Sequence, residues 1–145
     1  MVLIFDENYS KYVAEAFSLL EKGNKHVSTK ATIHHILKLG EDLKFPKANI
    51  KGSYSDEEVI QIAGRIGGIV ITQDDDFKRI KHLGSMYKQH NVGSVYFKTH
   101  KHSRGYWEMT TYMLSRWNEM KENIEKNPIP FCFMIDAKGI HKQHF

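Results

Sequence analysis

A chain of 145 residues, 41% apolar and 12% aromatic, is long enough to bury its own core and too apolar to be intrinsically disordered. One cysteine excludes a disulfide scaffold, and no apolar run reaches the length of a membrane span. The net charge of +4 hides an asymmetry: eight of the 17 acids fall in the clusters Asp6-Glu7, Asp56-Glu57-Glu58 and Asp74-Asp75-Asp76, leaving nine acids against 21 Lys and Arg elsewhere. A basic body around concentrated acidic points suits a metal-dependent enzyme acting on a polyanion, and equally a basic protein whose charges serve solubility.

Met1-Val2-Leu3-Ile4-Phe5 lacks a basic flank and runs into acids, so it reads as a first strand and not a signal peptide, with the cytoplasm as the expected location. Asp6-Glu7-Asn8 follows. Asn8 is the expected cap of a helix over Tyr9 to Lys22, with Tyr12, Val13, Ala16, Phe17 and Leu20 as its buried stripe and Gly23-Asn24 as its stop. Asp6 then lies at a strand-to-helix junction, where it is either a site residue or the helix cap itself. His26-Val27-Ser28 suits a short strand. Ile33, Ile36, Leu37 and Leu39 fit a helix or an extended piece equally well, and the adjacent His34 and His35 point apart in either, which argues against a metal pair. Residues 40–54, with Pro46, Gly52 and the lysines Lys44, Lys47 and Lys51, read as an exposed connection.

Ser55 followed three residues later by Glu58 is a capping box, opening a helix through Val59, Ile60, Ile62, Ala63 and Ile66 to a Gly67-Gly68 stop. Asp56 in its first turn is explained by the helix dipole alone. Ile69-Val70-Ile71-Thr72 has the β-branched character of a buried parallel strand, and it runs into Gln73-Asp74-Asp75-Asp76-Phe77. Open α/β sheets place their chemistry at such carboxyl ends. Asp74 and Asp76 face one side if the chain stays extended, a pair suited to a hard divalent cation; the alternative is that one of these acids caps the next helix.

Residues 78–91 are basic and partly helical, and Val92 to Phe97 form another strand. The cationic run Lys98-Thr99-His100-Lys101-His102-Ser103-Arg104 follows that strand, and with Lys78 and Arg79 it supplies the candidate phosphate contacts Lys78, Arg79, Lys98, Lys101 and Arg104. Ser103 is the expected cap of the longest helix, to about Lys126. Its stripe of Tyr106, Met109, Thr110, Met113, Leu114, Trp117, Met120 and Ile124 reads as core rather than a base-stacking surface. Past Pro128 and Pro130, Phe131 to Asp136 and Ile140 to Phe145 form a hairpin in which Asp136 is a turn residue and Cys132 a small buried hydrophobe.

Three pieces taken together, Leu3-Ile4-Phe5-Asp6-Glu7-Asn8, Ser55-Asp56-Glu57-Glu58-Val59-Ile60 with Ala63, and Val70-Ile71-Thr72-Gln73-Asp74-Asp75-Asp76-Phe77, resemble the compact PIN-like proteins related to VapC-type toxin ribonucleases. The resemblance covers about residues 1–100. It implies one PIN-like domain over residues 1–145, a three-layer α/β/α sandwich with a mainly parallel sheet, and Mg²⁺- or Mn²⁺-dependent hydrolysis of RNA phosphodiesters. By position, Asp6, Asp56, Asp74 and Asp76 match the family's catalytic acids, with Asp6, Asp74 and Asp76 as metal ligands and Thr72 and Asn8 in support. Larger PIN domains carry a further acid on a helix between the first two, and here only Glu15, Glu21, Glu41 and Asp42 fall in that interval. An RNA substrate is implied and, for a toxin, a cognate antitoxin over the acidic cleft; a homodimer is left open. A PIN-like module that binds RNA or protein without cutting, and a metal-dependent DNA nuclease, are the alternatives.

Overall fold

The computed structural model describes residues 1–25, 29–46, 52–73, 77–98 and 105–144, with residues 77–80 as backbone only. Its elements in chain order are β1 (Val2–Phe5), α1 (Lys11–Gly23), β2 (Thr32–His35), α2 (Ile36–Asp42), α3 (Asp56–Arg65), β3 (Ile69–Thr72), α4 (Phe77–His90), β4 (Gly93–Phe97), α5 (Tyr106–Lys126), β5 (Cys132–Asp136) and β6 (Gly139–Gln143). The strands form one sheet in the order β2-β1-β3-β4-β5-β6. β1 to β5 are mutually parallel and β6 returns antiparallel to β5. This is the mainly parallel α/β architecture expected, with the long helix and the hairpin at its end.

The strands are apolar on both faces because both faces are covered. Leu3, Phe5, Ile69, Ile71, Val95 and Phe97 meet α1 and α5, through Val13, Phe17, Met113 and Trp117 among others. Ile4 and Val70 point the other way, into a second core built with Ile36 and Leu39 of α2, Ile60 and Ile62 of α3, and Leu83 and Tyr87 of α4. Three layers result. Among the described residues no helix is long and apolar enough to cross a membrane.

The α3–β3 junction ends as its two glycines require. Gly67 takes a left-handed φ of 63°, and the Gly68 and Gly67 amides donate back to the Ala63 and Gly64 carbonyls, a Schellman stop that leads straight into β3. A Cβ at Gly68 would collide with the Ile4 side chain, so this glycine also lets β3 lie close to β1.

Several expectations are corrected. Ser10, not Asn8, caps α1, its hydroxyl accepting from the Tyr12 amide at 3.0 Å. The buried stripe of α1 is Val13, Ala14, Phe17 and Glu21, whereas Tyr12 and Leu20 are exposed; the stripe is rotated because Glu21 turns inward to meet Lys121. Residues 32–42 hold both candidate structures in succession, a strand and then a helix. Tyr54, placed in an exposed connection by its sequence setting, is buried, its hydroxyl donating to the Phe45 carbonyl. Gly105 takes the cap position of α5, which begins at Tyr106. Tyr106 and Leu114 leave that helix's buried stripe, and Lys121 joins it. The strand expected over His26-Val27-Ser28 lies outside the described residues.

Candidate functional site

In the order β2-β1-β3 the chain leaves β1 for one side of the sheet and returns on the other, so the connections diverge between the carboxyl ends of β1 and β3. That switch point is where open α/β sheets form a crevice. Asp6 stands on one side of it and Thr72 on the other. The Asp6 amide donates to the Ile71 carbonyl at 3.1 Å, extending the β1–β3 ladder by one residue and leaving Asp6 level with Thr72. Leu3 and Phe5 face the α1–α5 core and Ile4 faces α3, so continued alternation turns Asp6 toward α3; Ile69 and Ile71 do the same for Thr72. α3 precedes β3 and runs against the strands, which brings its first residue, Asp56, to the same edge.

The Asp6 carboxylate is closely held. One oxygen accepts from the Asn8 amide at 3.0 Å and the other from the Asn8 side chain at 3.2 Å, and the Thr72 hydroxyl also donates to it. Burial nevertheless raises its pKa from 3.8 to about 6, and the negative charge of Asp56 adds to the rise against the lowering effect of those bonds. Tyr9, packed edge-on to Phe5 at 5.0 Å, donates its hydroxyl to the Thr72 carbonyl at 3.4 Å. His35 closes the loop from β2: one ring nitrogen meets the Tyr9 carbonyl at 2.8 Å while the other accepts the Leu37 amide at the start of α2. Together these bonds require the tautomer protonated at Nε2.

Glu7 has a part that its sequence context did not suggest. Its carboxylate accepts the Tyr54 amide at 2.6 Å, one residue before the cap of α3. Ser55 and Glu58 then form the expected capping box at 3.2 and 2.9 Å. Three consecutive residues thus divide the work at the end of β1: Asp6 faces the crevice, Asn8 orients it, and Glu7 ties down the turn that carries Asp56. The only hint in the sequence was a second acid beside the first.

α1, α3, α4 and α5 all run against the parallel strands, so their amino ends, the positive ends of their dipoles, gather at this edge. Lys98 follows β4 there; its amide donates to the Ile135 carbonyl at 2.9 Å and its side chain is exposed. Lys78 and Arg79 lie in the first turn of α4. Asp74, Asp76, Lys101 and Arg104 lie outside the described residues. Among the described residues no three His, Cys, Asp or Glu side chains come together as a metal-binding group; those residues bring Asp6, Asp56, Thr72 and Asn8 to one end of the sheet.

Compared with known proteins, the chain matches no family model, no curated protein and no solved structure.

Proposed function

We propose that the chain is a PIN-like, metal-dependent endoribonuclease that hydrolyses RNA phosphodiesters, acting as the toxin of a toxin-antitoxin pair. The observation that carries this reading is Asp6: a carboxylate with its pKa raised to about 6, placed at the sheet's switch point beside a second acid. Such a group is costly to keep charged alone and is relieved by a cation. The donors are all oxygens, the chemistry that Mg²⁺ and Mn²⁺ prefer.

In this reading Asp6, Asp74 and Asp76 would hold the cation, and Asp56 would orient water beside it. When bound, a divalent ion would supply Lewis acidity to a water near the phosphate and positive charge to offset the leaving oxygen. The rest is done by the protein. Asn8 and Thr72 fix the Asp6 oxygens, and the gathered helix amino ends favour a phosphate at this edge. Lys98, with Lys78, Arg79, Lys101 and Arg104, draws the polyanion by charge that carries no sequence preference.

Cleavage of RNA and of DNA by the wild-type, Asp6→Asn and Asp74→Asn proteins, with Mn²⁺ and with EDTA, tests the proposal. The expected result is Mn²⁺-dependent cleavage of RNA, reduced at least a hundredfold in either variant; a wild type that stays inactive with Mn²⁺, or variants that cut as well as it does, would overturn it. A second reading, a PIN-like module that binds RNA or protein without cutting, draws on the acids between Asp6 and Asp56, of which Glu7 is held by the Tyr54 amide and Glu21 by Lys121. It predicts binding with no cleavage under any metal. Cleavage of DNA alone would identify the enzyme as a DNA nuclease.

A further inference from the structure

Among the described residues six large apolar side chains are exposed: Tyr12, Leu19 and Leu20 on α1, and Tyr106, Trp107 and Leu114 on α5. The three on α1 lie off its buried face of Val13, Ala14, Phe17 and Glu21. On α5, Trp107, Leu114 and Lys121 recur every seven residues and share one flank, and Lys121 fixes that flank as the one facing α1, because its ammonium meets Glu21 at 2.6 Å. Trp107 and Leu114 therefore flank the seam between the two helices, and Tyr106 precedes Trp107 at the start of α5.

Aromatic and aliphatic residues are sorted along these two helices. Phe17 packs on Trp117 with ring centroids 4.4 Å apart, and Glu21 pairs with Lys121. Both contacts carry the same sequence offset, so the helices run alongside in the same direction. α5 runs against the parallel strands, so its first residues, Tyr106 and Trp107, stand at the carboxyl edge of the sheet, where β1 ends at Asp6. The first turn of α5 thus reaches the level of the Asp6–Asn8 loop. The three leucines lie further from it.

We propose that Trp107 and Tyr106 form a stacking platform for the unpaired bases of a single-stranded RNA whose backbone passes the acidic crevice. This rests on the reading of that crevice as a phosphodiester site, and it deepens that reading by naming the substrate's strandedness. Trp107 is 76% exposed and Tyr106 51%, a large uncovered aromatic area. Their rings meet edge to face at 5.4 Å and 88°, an arrangement that steadies the pair and leaves ring surface open to a base. Lys98 is exposed at the same edge, and on α1 the Lys11 ammonium lies 5.4 Å from the centre of the Tyr12 ring. A positively charged rim beside open rings matches a phosphate strand with splayed bases; a duplex keeps its bases stacked inside and offers them no face.

The protein contains its own probe, since Trp117 is buried and Trp107 is the other tryptophan. Fluorescence of the full chain is titrated in EDTA with an eight-nucleotide oligoadenylate, and separately with a stable hairpin of similar length. The oligoadenylate is expected to quench the exposed tryptophan to saturation, and Trp107→Ala and Tyr106→Ala each to weaken binding about tenfold, with Trp107→Phe retaining most of the affinity. The hairpin should leave the emission unchanged. Binding without quenching, no binding of the oligomer, or a Trp107→Ala protein that binds as wild type would overturn the platform. So would an emission that shifts to the blue with protein concentration alone, because a second copy would then cover the patch. Since the assay proceeds without metal, a quench in a protein that never cleaves would defeat the nuclease reading and leave the platform standing; metal-dependent cleavage without a quench would do the reverse.

Discussion

Asp6 concentrates the electrostatics of the site in one side chain. Its pKa of about 6 lies above the ordinary 3.8, so between those values the folded protein holds a proton that the unfolded chain has released. Stability therefore falls as pH rises from about 4 to about 6 and then levels, with the penalty fully present at neutral pH. In metal-free buffer Asp6→Asn should remove that penalty, on the order of 2 kcal/mol after allowance for partial exposure. The thermal midpoint at pH 7.5 would rise by about 4–8 °C over wild type, with the gain disappearing near pH 4. Melting curves across pH 4–8 that keep the two proteins in step would refute the assignment. The same substitution should abolish cleavage, so one change is expected to strengthen the fold and disable the site.

At the scale of elements, the site depends on how α3 is docked. Its capping box satisfies its own first turn, but nothing in that local motif dictates where the turn points. That is set by the bond from the Tyr54 amide to the Glu7 carboxylate, which spans 47 residues of sequence. Glu7→Ala leaves the amide without this partner and should cost about 1–2 kcal/mol; Glu7→Gln keeps an acceptor in place. If Glu7 acts by positioning, the glutamine variant retains Mn²⁺ affinity close to wild type while the alanine variant loses about tenfold. Equal loss in both would make Glu7 a ligand instead. The acidic cluster was visible in the sequence, yet the division of roles within it was not, because Asp6 and Glu7 differ only in which distant group each one meets.

Across the whole molecule, one buried ion pair joins the outer layer together. Lys121 and Glu21 are 2% and 5% exposed; the Trp117 indole donates to the same carboxylate oxygen at 2.6 Å, and the Ala31 amide to the other at 3.3 Å. Burial opposes the charge on Glu21, but the Lys121, Trp117 and Ala31 bonds outweigh it and lower its pKa. Its stabilising contribution is thus present at neutral pH and lost as pH falls through that lowered value. Lys121→Met should destabilise by about 3 kcal/mol in urea unfolding at pH 7, because the carboxylate is left buried without its partner, and the double change Glu21→Leu with Lys121→Met should recover much of the loss. A Lys121→Met midpoint equal to wild type would show that the pair contributes nothing.

Local patterns alone determined a good part of this protein. β-Branched runs became parallel strands, the Ser55–Glu58 spacing became a capping box and Gly67-Gly68 became a helix stop, since each of these depends on residues within a turn or a strand of one another. Tertiary structure decided the rest. The sheet order made β1 and β3 neighbours and set Asp6 level with Thr72; the packing of α1 against α5 drew in Glu21 and Lys121, two charged residues that periodicity assigns to the surface; and the same packing left Tyr12, Tyr106 and Trp107 uncovered. Which flank of an amphipathic helix is buried depends on the partner it meets, and that partner lies too far along the chain for any local pattern to contain it.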